Sequence, residues 1–136
     1  MPDELSQGFW SAADEGVLAI QRCESCGHWA HPPVQVCRAC HGDAPLRATP
    51  VSGRGRLRSW TVVRTAFLPG FESDLPYVLG DVELEEQTDL RMVAVVHGAP
   101  DRLEVGDAVV VGFDERADGA AVPCFQWVGP GAVAAP

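Results

Sequence analysis

The strongest constraint in this sequence is a set of four cysteines, Cys23, Cys26, Cys37 and Cys40, spaced as C-x2-C-x10-C-x2-C. Two residues between cysteines let one tight turn direct both sulfurs at one point, and two such turns complete a tetrahedron of thiolates. We therefore predict a zinc ribbon over residues 20–43. Because four thiolates fill the coordination shell, the predicted Zn2+ is structural and not catalytic.

Several details of this segment leave alternatives open. Disulfides could pair the same cysteines, and iron could occupy the same sulfur cage. One of the flanking histidines, His28, His31 or His41, could replace a cysteine as ligand, or all three could be surface or outer neighbours of the site. Gly27 and Gly42 follow the two cysteine pairs and are candidates for the positive φ that such turns need.

The rest of the chain is expected to be mainly β. A short helix is predicted over Ser6–Gly16, because Phe9, Ala13 and Val17 recur on one helical face. Residues 43–52 are interpreted as a linker with prolines as breakers. Beyond it, period-two patterns separated by turn signals (Leu68–Gly70 among them) predict five strands, which together form a small closed barrel of the OB-fold type. The strands are predicted over 55–66, 77–84, 90–97, 108–114 and 122–128.

These patterns give a division into four parts. The predicted N-terminal helix occupies residues 1–19 and the zinc ribbon residues 20–47. The predicted OB-fold covers residues 48–130, and a flexible tail covers residues 131–136. A chain of 136 residues has room for one compact domain, or for one domain with a small appendage.

Composition limits the classes of function. The net charge is −9, the chain has no lysine, and residues 68–136 carry three arginines against thirteen acidic residues. Such a chain is a poor candidate for wrapping nucleic acid, which requires clustered positive charge. No apolar run approaches the roughly 20 residues of a membrane span, and the acidic N-terminus lacks the features of a secretory signal. We therefore expect a cytoplasmic protein that binds neither membrane nor nucleic acid.

One row of basic residues stands out within the predicted barrel. Arg54, Arg56 and Arg58 are spaced by two, so a strand would place them on one face, which Trp60, Val62 and Arg64 would continue. Guanidinium groups beside an indole could hold the phosphates and stack the purine of coenzyme A, or bind single-stranded nucleic acid. Alternatively, the row solubilises an edge strand or pairs with the protein's own acidic residues.

Two further residues of the predicted barrel have ordinary structural interpretations. Cys124, alone in the last predicted strand, is interpreted as a small buried residue, with a reactive thiol as the alternative. His97 ends a strand without an obvious partner and is interpreted as a surface residue. The sequence contains no nucleophile motif and no phosphate-binding loop of the G-x-x-x-x-G-K type.

The order of these parts resembles a family of small acyl-CoA-associated proteins that join a rubredoxin-like zinc ribbon to an OB-fold, catalogued as domain of unknown function thirty-five. The resemblance covers nearly the whole chain. It rests on Phe9-Trp10, Gly16–Leu18, Gln21–Gly27, His31–Pro33, Cys37–Cys40, Ser52–Gly55, Ser59–Val63, Pro76–Val78, Val105–Asp107 and Pro123–Phe125.

The resemblance implies a non-catalytic partner of a thiolase-superfamily enzyme. The enzymes bound by members of this family include acetyl-CoA acetyltransferases, hydroxymethylglutaryl-CoA synthases and the lipid-transfer-protein-like thiolases that act as aldolases in steroid side-chain degradation. It also implies that the zinc ribbon and helix pack on the partner, that the OB-fold flanks the acyl-CoA route, and that the assembly is a heterotetramer of two plus two. Some members also carry a hydratase-like domain, for which this chain has no room.

Within that frame the sequence suggests roles for particular residues. The four cysteines match the family's metal ligands. Candidate partner contacts are apolar: Phe9, Trp10, Trp29, Pro32 and Pro33, with packing of the helix against the ribbon as the alternative. The rival functions are a nucleic-acid-binding module, since both folds occur in such proteins, and a stand-alone enzyme, for which we find neither an open metal position nor an acid/base pair.

Overall fold

The N-terminal helix ends where the sequence predicts. The computed structural model describes residues 4–64, 76–115 and 119–128, and its helix α1 spans Gln7–Asp14. Ser6 occupies the N-cap position, although its side chain makes no capping hydrogen bond. The chain leaves the helix through Gly16, whose φ of 76° is the left-handed stop that glycine permits. None of the helices in the described part of the chain has the length and apolar character needed to cross a membrane.

The zinc ribbon is built on a three-stranded antiparallel sheet. Its central strand β1 (Ala19–Cys23) pairs with β2 (Trp29–Ala30) on one side and with β3 (Leu46–Pro50) on the other. Our interpretation of residues 43–52 as a linker was therefore wrong for β3. Pairing with β1 prevails over the breaking tendency of proline, since the two prolines of this segment lie before the strand and at its last position.

The second half of the described chain forms a closed five-stranded barrel, as predicted. The strand order is β4-β5-β6-β8-β7, and β4 also pairs with β7, which closes the sheet. Most pairs are antiparallel, but β6 and β8 run parallel and share a short register in which His97 lies opposite Gln126. The strands are β4 (Arg54–Val63), β5 (Tyr77–Leu84), β6 (Arg91–His97), β7 (Ala108–Glu115) and β8 (Ala121–Trp127). The predicted turn at Leu68–Gly70 and the predicted tail at 131–136 lie outside the described residues.

A β-bulge in β4 changes the face on which its side chains lie. The pairing of β4 with β5 shifts register between Leu57 and Ser59. Before the bulge Leu57 is buried and the arginines alternate with it, whereas after the bulge Trp60 and Val62 pack against the core. The prediction that Trp60 and Val62 continue the arginine face was wrong, because one extra residue moves every later side chain to the opposite face.

Ribbon and barrel share one hydrophobic core. Trp29 of β2 is 8% exposed and belongs to the same cluster of buried side chains as the barrel residues Leu57 and Phe125. Gln87, in the loop between β5 and β6, forms two hydrogen bonds with the backbone of Trp29. Its side-chain amide donates to the Trp29 carbonyl at 3.0 Å, and its side-chain carbonyl accepts from the Trp29 N–H at 3.0 Å. The two halves of the protein are therefore joined by apolar burial and by a paired hydrogen bond.

Replacing Gln87 should loosen this joint. We expect Gln87→Ala to lower the free energy of unfolding by about 1–3 kcal/mol, because it leaves two partly buried backbone groups of Trp29 without their partner. Urea denaturation followed by tryptophan fluorescence measures the effect. Thr88→Ala changes the exposed neighbouring residue and is the matched control. Equal stability of the two variants would show that the paired hydrogen bond does not hold the ribbon to the barrel.

Candidate metal centre and flanking surfaces

The four ribbon sulfurs converge on one point. The Sγ atoms of Cys23, Cys26, Cys37 and Cys40 all lie within 4.8 Å of one another. The distance between Sγ atoms is 3.8 Å for Cys23 and Cys40 and 3.6 Å for Cys26 and Cys37. A tetrahedral zinc with Zn–S bonds of about 2.3 Å has sulfur–sulfur edges of about 3.8 Å. No disulfide joins these four cysteines, and their arrangement fits Zn2+.

The two cysteine pairs sit on equivalent turns. The Gly27 N–H donates to the Cys23 carbonyl at 2.9 Å, and the His41 N–H donates to the Cys37 carbonyl at 3.0 Å. The residue four positions after the first cysteine of each pair has a positive φ, 78° at Gly27 and 56° at His41. Gly27 was predicted correctly. Gly42 was not, because the left-handed position of the second turn falls one residue earlier.

The local hydrogen bonds favour ionised thiols at two of the four positions. Backbone N–H donation, led by that of Cys40, lowers the pKa of Cys37 to about 6, and donation led by the N–H of Cys26 lowers the pKa of Cys23. At Cys26 the His28 N–H also acts to lower the pKa. There, burial and the neighbouring thiols outweigh it and raise the pKa to about 11. Since a metal takes up thiolates, binding would release protons from this cluster.

The flanking histidines are not part of the sulfur cluster. The group of possible ligand atoms that the described residues form here consists of the four cysteines alone. His31 is half-buried and its ring centroid lies 5.5 Å from that of Phe9. Burial lowers the pKa of His31, so this imidazole is neutral at physiological pH and packs the ribbon against α1.

The arginine row of β4 is largely matched by carboxylates from the opposite strand and loop. Arg54 forms a two-pronged ion pair with Glu85, with N···O distances of 3.1 and 2.6 Å, and Arg58 pairs with Glu83. Hydrogen bonding to Arg54 lowers the pKa of Glu85, and that to Arg58 lowers the pKa of Glu83. Arg56 is exposed and donates to the Gly106 carbonyl at 2.9 Å. Arg56 and Arg58 line a cleft of about 310 Å³.

The apolar residues expected at a partner interface separate into two groups. Trp29 lies in the core, where Arg22 stacks on its ring at 4.7 Å from the centroid, so it packs the ribbon and barrel together. Phe9 is half-buried and contacts Trp10 edge-on at 4.9 Å between centroids. Trp10 and Pro33 are half-buried and Pro32 is exposed. Four of the five candidates therefore retain solvent-exposed surface.

Sequence reasoning missed two glutamines that organise this half of the protein. Gln21 is only 8% exposed, and its side-chain amide donates to the Val34 carbonyl at 2.9 Å while its carbonyl accepts from the Val34 N–H at 2.8 Å. Gln87 clamps Trp29 in the same way. A polar residue among the apolar residues of β1 was the available signal for Gln21, whereas nothing in the local pattern marks Gln87.

The prediction for Cys124 of the barrel agrees with the structure in its burial, whereas the prediction for His97 missed a contact. Cys124 is 1% exposed, and burial, with a smaller effect from Asp114, raises the pKa of its thiol to about 12. Its thiol is therefore protonated at neutral pH, and the side chain is buried as predicted. His97 is not without a partner: its Nε2 lies 2.7 Å from Oδ2 of Asp114.

Comparisons with known proteins agree with this architecture. The family model described as ChsH2, rubredoxin-like zinc ribbon domain matches residues 10–45, and that described as ChsH2, C-terminal OB-fold domain matches residues 48–114. A chain of the solved structure named Ltp2-ChsH2(DUF35) aldolase superposes with a TM-score of 0.81 at 32% sequence identity. The match covers 93% of this chain and 96% of that chain.

Curated relatives come from bacteria and archaea. A protein of Thermomonospora curvata named probable enoyl-CoA hydratase alpha subunit is 36% identical over 87% of this chain, which spans only 36% of that protein's length. A DUF35 domain-containing scaffold protein of Methanothermobacter thermautotrophicus is 33% identical over 71% of both chains. A Methanocaldococcus jannaschii protein with the same name is 34% identical over 62% of this chain and 60% of its own length.

Loss of a ribbon cysteine should abolish tight zinc binding. We expect purified wild-type protein to hold about one zinc per chain through gel filtration, and Cys37→Ser to hold almost none, because a four-ligand site loses one ligand. Thermal unfolding should also shift to lower temperature, because a disordered ribbon no longer holds Trp29 in the core that it shares with the barrel. Elemental analysis measures the metal. Cys124→Ala, a change at the buried cysteine of the barrel, should leave this tightly held zinc in place, and equal metal loss in both variants would contradict the assignment.

The family assignment rests on agreement between independent features. The four sulfurs fit a rubredoxin-like zinc ribbon, and the five strands close an OB-fold barrel. Both parts match ChsH2 domain models, and a relative of similar length is 33% identical over 71% of both chains. The chain belongs to the DUF35 family, whose members combine a ChsH2-type zinc ribbon with an OB-fold.

Proposed function

We propose that this protein is a non-catalytic accessory subunit of a thiolase-superfamily enzyme acting on acyl-CoA, of the lipid-transfer-protein-like thiolase or aldolase type. The observation that carries the proposal is the superposition of nearly the whole chain on a chain of the Ltp2-ChsH2(DUF35) aldolase. The proposal assigns catalysis to the partner, a two-plus-two assembly, and a cytoplasmic location in which the cysteines stay reduced. Steroid side-chain degradation is the proposed metabolic setting.

The metal site supports a scaffolding role. Four thiolates around one zinc leave no open coordination position for a substrate or a water molecule. The zinc would hold the two turns of the ribbon and thereby present α1 and the adjoining loop as a rigid surface. The metal therefore serves the shape of the protein, as an accessory subunit requires.

The surface beside α1 is the proposed docking site. Leu5, Phe9 and Pro33 line a cleft of about 210 Å³ between α1 and the ribbon. Leu5 is 40% exposed, and Val36 in the adjoining ribbon loop is 53% exposed. Trp10 and Pro32 add apolar surface nearby, whereas Trp29 is excluded because it is buried in the core. Half-buried aromatic side chains at such a rim are typical anchors of protein interfaces.

The arginine face of β4 is the proposed contact with the CoA phosphates. Arg54 and Arg58 would have to exchange their carboxylate partners for phosphate. The carboxylate of Glu85 is the more accessible of the two, with its side chain 42% exposed against 15% for Glu83, so the exchange costs less at Arg54. Arg56 donates only to a backbone carbonyl and forms no ion pair within the described residues. It is therefore the arginine best placed to receive a phosphate. Trp60 lies on the opposite face and takes no part in this contact.

The partner is tested by affinity purification. We expect the tagged protein to recover a thiolase-superfamily enzyme from its native lysate in equal amounts, and light scattering of the purified complex to give a mass of two copies of each chain. Recovery of ribosomal proteins or nucleic acid without a thiolase would replace the proposal with the nucleic-acid-binding alternative.

The docking surface is tested by changing Trp10. Trp10→Ala should weaken binding of the recovered enzyme by about 30-fold, the loss of about 2 kcal/mol that a truncated aromatic anchor produces. Calorimetric titration measures the dissociation constant. Val93→Ala, at a β6 side chain that is 61% exposed, is the matched control and should bind like wild type. Equal affinity of all three proteins would move the interface elsewhere.

The CoA contact is tested by changing Arg56 in the assembled complex. Arg56→Ala should raise the KM of the partner for acyl-CoA by about tenfold, as expected from losing one charged hydrogen bond, while kcat changes little. Arg47→Ala, which removes the ribbon arginine paired with Glu24, is the control. An unchanged KM in both variants would show that CoA does not reach β4.

A further inference from the structure

A second group of metal-binding side chains lies on the barrel, apart from the ribbon cysteines. His97 at the end of β6, Asp114 of β7 and Cys124 of β8 place one imidazole nitrogen, one carboxylate oxygen and one sulfur within 4.8 Å of one another. Three consecutive strands of the barrel supply them. The folded barrel therefore brings together three possible metal ligands whose spacing in the sequence matches no metal-binding motif.

The strand register explains why these side chains meet. His97 lies opposite Gln126 in the parallel pair of β6 and β8, and Gly112 lies opposite Cys124 in the antiparallel pair of β7 and β8. Because side chains alternate along a strand, Cys124 and Gln126 share the face opposite to Phe125, which is fully buried in the core. Asp114 is two residues from Gly112 and shares this outer face. Gly112 adds no side chain between the carboxylate and the sulfur.

The three side chains differ in exposure in a way that suits metal entry. The thiol of Cys124 forms the floor and is 1% exposed. The side chains of His97 and Asp114 are 44% and 50% exposed and lie above it, with 2.7 Å between Nε2 and Oδ2. An exposed side-chain contact of this kind contributes little stability, so a metal displaces it at small cost. Both exposed side chains can rotate to open the roughly 3.3–3.8 Å ligand spacing of a tetrahedral site.

We propose that His97, Asp114 and Cys124 form a second, exchangeable site for a zinc-like divalent cation on the outer face of the barrel. The mixed nitrogen, oxygen and sulfur donors select Zn2+ or Co2+ over Mg2+ and Ca2+, which prefer all-oxygen sites. Binding replaces the thiol proton of Cys124, which is released to water. Three protein ligands leave a fourth position open to water, in contrast to the closed sulfur shell of the ribbon. The site ties β6, β7 and β8 together at the short parallel seam of the barrel.

Cobalt titration of the full chain with a zinc-loaded ribbon tests the proposal. Co2+ bound to a thiolate gives a charge-transfer absorption in the near ultraviolet. We expect this absorption to grow to saturation at about one equivalent of cobalt while the ribbon keeps its zinc by elemental analysis, and Mg2+ not to compete. In Cys124→Ala the absorption should be absent.

Substitutions at the two exposed ligands test the site without disturbing the buried core, which the change at Cys124 could affect. His97→Gln and Asp114→Asn should bind cobalt at least about tenfold more weakly, the smallest effect expected when even an outer neighbour of a metal is lost. Glu115→Gln, at the adjacent exposed carboxylate of β7, should bind like wild type. The proposal is overturned if wild type shows no absorption beyond that of cobalt exchanged into the ribbon, if the absorption persists in Cys124→Ala, or if His97→Gln and Asp114→Asn bind with wild-type affinity.

Discussion

The convergence of four sulfurs on one point is the constraint on which the N-terminal half of this protein depends. From residue 24 to residue 45, Trp29 and Cys37 are the only buried residues. So short a segment, with so few buried apolar side chains, cannot offset the entropy of ordering its backbone. Four bonds to one zinc would supply what burial does not, and the equivalent turns at Gly27 and His41 provide the backbone geometry that brings the sulfurs together.

Charge pairing between β4 and the β5 side of the barrel accounts for the arginine row and contributes little stability by itself. The first half of the chain is slightly basic and the second half is strongly acidic, and the two meet where β4 pairs with β5. Arg54 and Arg58 face Glu85 and Glu83 across that pair. The arginine row, which in the sequence suggests a phosphate site, is thus paired mainly with carboxylates of the same protein. Binding of an anionic ligand to Arg54 or Arg58 requires that these carboxylates be displaced.

How much of this architecture could be predicted depends on whether the relevant interaction is local in sequence. The cysteine spacing and the alternation of the five barrel strands are local patterns, and both predicted structure correctly. Strand β3 was missed because its order comes from pairing with β1, and the bulge in β4 was missed because no residue there signals it. The clamp between Gln87 and Trp29 joins residues 58 positions apart, and only the folded chain brings them into contact.

The core shared through Trp29 has a consequence for how such proteins can change by recombination. Ribbon and barrel are recognised as separate sequence units, yet Leu18, Ile20 and Trp29 of the first are buried with the barrel side chains of the second. A gene fusion that transplanted either unit alone would expose the apolar face that the other covers. The pair should therefore be inherited and exchanged as one unit.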